Sequence, residues 1–152
     1  MPKTSAGLLL YRRRGDQVEV LLVHPGGPFF VKKDEGAWSL PKGEVDPAED
    51  ELATAQREFE EELGFPAQGE FLALGRVKLK SGKIVRAWAF EGDCDPSTVK
   101  SNTFTLEWPP HSGRRQQFPE VDRAAFFSLE VARRKINPRQ VELLNQLQRL
   151  LR

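Results

Sequence analysis

Cysteine and histidine are scarce in this sequence of 152 residues. It contains one cysteine, Cys94, and two histidines, His24 and His111. A single thiol cannot form an internal disulfide, and the usual Cys/His zinc sites need more ligands than these residues supply. The composition therefore excludes a disulfide-stapled scaffold and an ordinary zinc module, and we expect a protein of the reducing cytoplasm.

Long hydrophobic runs and an excess of one charge are also missing. The apolar run at residues 8–10 is too short for a signal-peptide core or a membrane span. Lys and Arg total 23 against 22 Asp and Glu, so the net charge of +1 gives no general attraction to nucleic acid or acidic membranes. We therefore expect neither as a partner, and any electrostatic function must come from local groups of charges.

The residues that are present suit one domain over residues 1–152, with 39% hydrophobic and 30% charged side chains. Apolar stretches separated by turn-forming residues predict five strands. They cover residues 5–11, 18–23, 71–79, 84–90 and 103–108. Together with helices in between and after them, they predict a mixed sheet covered by helices on both faces, an α/β (α+β) fold.

The clearest helix is predicted to begin near Asp46 and to end at Gly64. Asp46 can cap it, Pro47 suits its first position and Glu49 its third, while glycine is a natural helix stop. Apolar residues recur inside it at helical spacing and predict a buried stripe, made of Leu52, Ala55, Phe59 and Leu63. A shorter helix at residues 128–135 and another after Pro138 are also predicted.

Three glutamates lie beside this stripe. At about 100° per residue, Glu58, Glu61 and Glu62 fall within an arc of roughly 100°, so burial of the stripe would hold their carboxylates at one margin. Ionised carboxylates so close repel one another unless a cation neutralises them. Oxygen ligands of this kind suit Mg²⁺, which is often shared with substrate phosphates. The alternative is a solvated acidic helix face.

The glutamates belong to a longer pattern, G-x5-E-x7-R-E-U-x-E-E-x-G-U, where U is a bulky aliphatic residue. Its fixed positions are occupied by Gly43, Glu49, Arg57, Glu58, Glu61, Glu62 and Gly64. This pattern resembles the Nudix box, with Phe59 and Phe65 in place of aliphatic residues. The resemblance extends to residues 38–44 and, more weakly, to residues 126–129. It implies the α/β/α sandwich of Nudix hydrolases, and the Pro-Lys-Gly lead-in is similar to that of dinucleoside polyphosphate hydrolases.

The resemblance also implies roles for individual residues. Glu58, Glu61 and Glu62, with the backbone carbonyl of Lys42, would bind Mg²⁺, for which Mn²⁺ could substitute. Arg57 would orient a glutamate, unless it is only a surface partner of Glu61. Glu49 could serve the site or only the helix start. The general base, which varies in the family, could be Glu61 or the later Glu120, with Glu107 as a weaker candidate.

The substrate implied is a small nucleotide. Lys42, Arg114 and Trp38 are candidate contacts, and Lys32, Lys33 and Arg115 are further cations that could meet a polyphosphate. Trp88, Trp108 and Phe29 are other possible stacking surfaces, although aromatic residues are more often buried. A nucleoside or dinucleoside polyphosphate is favoured, while a mutagenic triphosphate, a sugar nucleotide, a diphosphoinositol polyphosphate and a 5′-triphosphorylated RNA end stay open.

Two rival functions follow from the same residues. A Nudix-like domain can be a nucleotide-binding sensor without catalysis, but such a module would be expected to lose metal-binding glutamates, and all three are present. Nucleophilic catalysis by Ser39 or Cys94 has no supporting motif. The sequence leaves open whether the protein is a monomer or a homodimer.

Overall fold

The computed structural model describes residues 3–152 and begins with a β-hairpin. Its strands are β1 (Thr4–Arg14) and β2 (Gln17–Pro25), which pair antiparallel across a turn at Gly15 and Asp16. Gly15 has a φ of 62°, a left-handed conformation that glycine adopts without strain. This hairpin confirms the strand pair predicted from the two apolar stretches.

The main sheet has six strands. Beside β1 and β2 it contains β3 (Lys42–Glu44), β4 (Leu72–Lys78), β5 (Ile84–Glu91) and β8 (Val121–Ser128). The order is β4-β5-β1-β2-β8, with β3 paired to the start of β1. β1 and β5 run parallel while the other pairs are antiparallel, so the sheet is mixed, as predicted.

Helices cover both faces of the sheet. On one face, α1 (Glu51–Leu63) buries Ala55, Phe59 and Leu63 in a core cluster with residues of β1 and β5. On the other face, α2 (Leu129–Lys135) and α3 (Val141–Leu150) pack on a second cluster. The α/β/α arrangement confirms the predicted fold class, and α2 and α3 confirm the two later helices.

The start of α1 differs from the prediction. Asp50, not Asp46, caps the helix: its backbone is extended and its side chain accepts a hydrogen bond from the Ala53 N–H. The Asp46 side chain instead accepts from Ala48 N–H, and its carbonyl accepts from Glu49 N–H, which closes a separate turn. Two aspartates within five residues offered competing caps, and the helix begins at the second.

A second, smaller sheet lies outside the main one. The strand predicted at residues 103–108 is β6 (Thr103–Glu107), and it pairs antiparallel with β7 (Arg115–Pro119). β7 leads through Glu120 directly into β8. Within residues 3–152, no helix combines the length and the apolar character needed to cross a membrane.

Candidate active site

The C-terminal end of α1 is held by a neighbouring segment. Gly64, with a φ of 87°, ends the helix and donates its N–H to the Glu60 carbonyl at 2.8 Å. The N–H groups of Lys100 and Asn102 donate to the carbonyls of Leu63 and Glu61, at 3.2 and 2.9 Å. These bonds satisfy carbonyls that a helix end leaves open and fix the direction in which the last turn presents its side chains.

Glu62 is the most buried acid of that turn, with 8% of its surface exposed. Its Oε2 accepts a hydrogen bond from the Lys42 backbone N–H at 3.2 Å. Burial, followed by the negative charges of Glu58 and Glu120, raises the pKa of Glu62 to about 8. A carboxyl in this position favours its neutral form unless a cation comes close.

Glu58 lies one turn earlier and packs against β3. Its side chain is 16% exposed, and burial followed by the charge of Glu61 raises its pKa to about 7. A Cβ added to Gly43 would lie 2.0 Å from the Glu58 Cδ, so any other residue here would displace this carboxylate from its observed position. The first glycine of the motif therefore serves to admit Glu58.

Arg57 connects the other acids of the motif. Its Nε and Nη2 donate to both carboxylate oxygens of Glu49, at 3.1 and 3.0 Å, and its Nη1 donates to Glu61 Oε1 at 3.1 Å. Thr54 Oγ1 also donates to Glu49, at 2.7 Å. The bonds from Arg57 and Thr54 lower the pKa of Glu49 to about 2. Glu49 therefore anchors Arg57, and it does not occupy the third position of the helix as predicted.

Glu120 joins this group from the turn between β7 and β8. Its N–H donates to the Asn102 carbonyl at 2.9 Å, and Asn102 is itself bonded to α1. Partial desolvation and the charge of Glu61 raise the pKa of Glu120, and its own charge raises those of Glu58 and Glu62. The structure thus gathers one acidic cluster, made of Glu58, Glu61, Glu62 and Glu120. Glu107 lies away from it and accepts a hydrogen bond from the His111 N–H.

Lys42 is also at the cluster. Its side chain is largely buried, and desolvation, with the nearby charge of Lys83, lowers its pKa, while Glu62, Glu58 and Glu44 act in the opposite direction. The ammonium is therefore within electrostatic reach of the carboxylates and of a second cation. Nothing in the sequence marked Lys83 or Thr54 as a residue of the site. Lys83 lies far along the chain, just before β5, and Thr54 is not a fixed position of the motif.

The structure does not bring Trp38 and Arg114 to the cluster. Trp38 is 4% exposed, packs edge-on against His24 and Phe127, and donates its indole N–H to Asp34. This burial corrects the expectation that its ring is open for stacking on a base. Arg114 stands at the far end of the β6–β7 hairpin, six residues and roughly 20 Å along the chain from Glu120.

Among the other aromatic candidates, Phe29 and Trp108 differ from Trp88. Trp88 is buried in the core cluster under α1. Phe29 is 57% exposed, and its ring meets that of the partly exposed Trp108 edge-on, with centroids 5.2 Å apart. Phe29 and Trp108 therefore form a surface aromatic pair beside the end of the hairpin that carries Arg114.

The donor set of the acidic cluster fits a hard divalent cation. Every member supplies carboxylate oxygens, and the pKa values of Glu58 and Glu62 are raised first by desolvation and then by neighbouring negative charge that Arg57 and Lys42 do not offset. Throughout residues 3–152, no three His, Cys, Asp or Glu side chains already stand in the arrangement of a metal site.

Comparison with known proteins finds similarity in both sequence and fold. A sequence profile described as the NUDIX domain matches residues 1–147. The chain is 41% identical over 58 residues to the asymmetrical bis(5′-nucleosyl)-tetraphosphatase of Caenorhabditis elegans, covering 38% of each chain. It is 32% identical over 103 residues to the enzyme of the same name from Rattus norvegicus, covering 60% of this chain and 66% of that one. The matches thus span at most about two thirds of these relatives.

The fold is shared over a greater length. The crystal structure of a C. elegans Ap4A hydrolase binary complex superposes with a TM-score of 0.68 and 25% identity, covering 97% of both chains. The agreement in fold therefore extends over nearly the whole chain.

Proposed function

This chain belongs to the Nudix family, and we propose that it hydrolyses a phosphoanhydride bond of a nucleoside diphosphate-linked substrate. The observation that carries the proposal is the buried carboxylate of Glu62 beside the half-buried carboxylate of Glu58, both with raised pKa values, together with two further acids and two cations. A buried concentration of like charge is costly for folding unless a ligand uses it.

The proposed cofactor is Mg²⁺, with Mn²⁺ as a substitute. Glu58, Glu61 and Glu62 would hold it, and the Lys42 carbonyl, next to the bond that the Lys42 N–H makes to Glu62, is the candidate backbone ligand. Such an ion supplies charge neutralisation at phosphate oxygens and a more acidic bound water. Arg57 would orient the carboxylate of Glu61 for metal binding, because its guanidinium is itself held by hydrogen bonds to Glu49 on the other side.

Glu120 is the proposed general base, with Glu61 as the alternative. Its raised pKa brings its proton affinity nearer to neutrality, which favours proton transfer from an attacking water. Its backbone is fixed through Asn102 to the end of α1, so its distance from the cluster is set by the fold. A Glu120→Gln variant with near-normal turnover at saturating Mg²⁺ would remove Glu120 from the mechanism and leave Glu61 as the candidate.

The favoured substrate class is a dinucleoside polyphosphate. Its support is the name of the two relatives, each a bis(5′-nucleosyl)-tetraphosphatase, together with the Pro-Lys-Gly sequence before the helix. We propose that the Lys42 ammonium contacts a phosphate next to the bond that is cleaved, because it already lies near Glu58 and Glu62. Phe29 and Trp108 are the proposed contact for a base, with Arg114 close to Trp108.

The test is a panel of nucleoside diphosphate-linked compounds incubated with Mg²⁺, with products resolved by chromatography. We expect hydrolysis of a dinucleoside polyphosphate that falls about 100-fold or more in Glu62→Gln or Glu58→Gln. Glu60→Gln is the matched control, since Glu60 is exposed on the same helix. Nucleotide binding without Mg²⁺-dependent hydrolysis of any compound would support a sensor instead.

A further inference from the structure

A second charged feature lies on the other side of the sheet, away from α1. It is a cavity of about 430 Å³ between the loop at residues 31–38, the edge strand β8 and α2. Four cationic side chains line it: Lys32, Lys33, Arg123 and Lys135. We call it the basic cavity. Trp38 and Phe127, which form part of its wall, belong to the core cluster under α2 and α3.

Positive charge in the basic cavity is only partly offset. Asp34 is the one carboxylate among the described lining residues, and it pairs with Lys135 at 2.5 Å. The nearest carboxylate recorded for Arg123 is Asp122, at 4.0 Å, and Asp122 is also bonded to His24. Lys32 and Lys33 form no ion pair with any carboxylate of residues 3–152. A chain with a net charge of +1 thus places two lysines without an ion pair beside Arg123, whose carboxylate partner lies 4.0 Å away, in one cavity.

The loop that carries these lysines is fixed by the fold. His24 is fully buried, and its Nε2 lies 2.7 Å from the Lys33 carbonyl while its Nδ1 lies 2.8 Å from Asp122. The N–H groups of Gly36 and Trp38 donate to the carbonyls of Arg134 and Lys135 on α2, both at 3.0 Å. The lysine backbones are therefore held before any ligand arrives, which lowers the entropy lost on binding.

We propose that the basic cavity binds a linear chain of phosphates. Lysine and arginine side chains around an open cavity are the groups that recognise phosphate oxygens, and the charge excess matches an anion with several negative charges. Arg123 follows Glu120 by three residues at the start of β8, so roughly 10 Å of strand joins the residues that border the two sites. Because β8 is the edge strand, a polyphosphate substrate cleaved at the cluster would pass round this edge to place its far phosphates in the cavity.

This assignment of the far phosphates rests on the proposed function, whereas phosphate binding by the cavity does not. The same chemistry would accept free inorganic polyphosphate. Two measurements separate these sources, one made without turnover and one with it.

The first measurement is calorimetric titration of the full chain with inorganic tripolyphosphate in metal-free buffer, where the acidic cluster repels anions. We expect saturable binding that weakens with added salt and falls about tenfold or more in Lys32→Gln/Lys33→Gln and in Arg123→Gln. The matched control is Lys78→Gln/Lys80→Gln, two exposed lysines at the opposite edge of the sheet. No binding, or equal binding by all variants, would overturn the proposal.

The second measurement is the KM of Lys32→Gln/Lys33→Gln for long and short substrates. If the cavity holds the substrate, the KM of the variant for a dinucleoside polyphosphate rises while kcat is unchanged. Its KM for a nucleoside diphosphate-linked compound without extra phosphates stays constant. In the wild type, tripolyphosphate competes with the long substrate. Tripolyphosphate binding with an unchanged KM for both would assign the cavity to free polyphosphate. Binding without any hydrolysis would contradict the proposed function alone.

Discussion

Arg57 is the residue on which the geometry of the acidic cluster depends most. An exposed ion pair between neighbouring turns contributes little to stability because solvent screens it. Arg57 differs because its planar guanidinium holds Glu49 with two parallel hydrogen bonds and uses its remaining nitrogen for Glu61. The two interpretations of Arg57 made from the sequence, a surface partner of Glu61 and a residue that orients a glutamate, therefore describe the same contact. The hydrogen bond to Glu61 is what orients that carboxylate.

Replacing Arg57 with lysine should lower activity while leaving the fold intact. Lysine keeps the charge but cannot hold Glu49 and Glu61 together, so we expect the Mg²⁺ concentration for half-maximal rate to rise about 10- to 100-fold. Steady-state kinetics with varied Mg²⁺ measures this shift. Glu49→Gln should cause a similar loss, and the double variant should be no worse than Arg57→Lys alone because both changes break one network. Additive losses would show that the two residues act separately.

Among the secondary-structure elements, those with strong patterns were predictable from the sequence. The hairpin of β1 and β2, the strands β4 and β5, and all three helices follow from apolar periodicity and turn residues. The strand β3 was not predictable, since it is three residues long and exists because β1 and β2 diverge and leave the start of β1 unpaired. The polar β7 and the edge strand β8 also lack a clean alternation.

The candidate site was predictable to the extent that it lies on one helix. Glu58, Glu61, Glu62 and Arg57 are local in sequence, so helical spacing brings them together. Glu120 was named only through the family resemblance, and its approach to α1 depends on Asn102, a contact between distant segments. Trp38 and Arg114 could not be placed, because burial and the direction of a hairpin are tertiary properties.

The helix start offers a direct test at this scale. Asp50→Ala removes the acceptor for the Ala53 N–H and should cost about 1 kcal/mol, or roughly 2–4 °C in Tm. Asp46→Ala is the matched change at the position predicted from the sequence, and it should leave Tm nearly unchanged because Asp46 closes only an exposed turn. Thermal unfolding followed by circular dichroism compares the two, and a larger effect at Asp46 would contradict the observed cap.

At the scale of the whole molecule, the carboxylates of the acidic cluster lower the stability of the folded protein when they are ionised. The fold brings α1, β3 and the turn before β8 together. It thereby buries Glu62 and half-buries Glu58, which raises their pKa values to about 8 and about 7, against 4.5 for an ordinary glutamate. Between about pH 4.5 and about pH 7 to 8, the folded chain therefore binds more protons than the unfolded chain. The contribution of both groups to stability is therefore full below about pH 4.5 and is lost as pH rises through about 7 to 8.

The metal-free protein should consequently become less stable as pH rises from about 5 to about 8. Thermal unfolding in the presence of a chelator measures this trend. Glu62→Gln should flatten the slope because its amide does not titrate, whereas Glu60→Gln should keep it. Added Mg²⁺ should raise Tm more at the higher pH, where the carboxylates are free of protons. A slope that is the same in wild type and Glu62→Gln would exclude Glu62 as its source.

The most direct test of the central claim is a titration of the full chain with Mn²⁺ near pH 7.5, with free ion followed by electron paramagnetic resonance. Because the acidic cluster is proposed to hold a divalent cation, we expect the wild type to bind Mn²⁺ saturably and Mg²⁺ to displace it. The affinity should fall about tenfold or more in Glu58→Gln and in Glu62→Gln, and it should be unchanged in Glu60→Gln. Binding equally strong in all three variants, or no saturable binding in the wild type, would contradict the assignment of these carboxylates as the metal site.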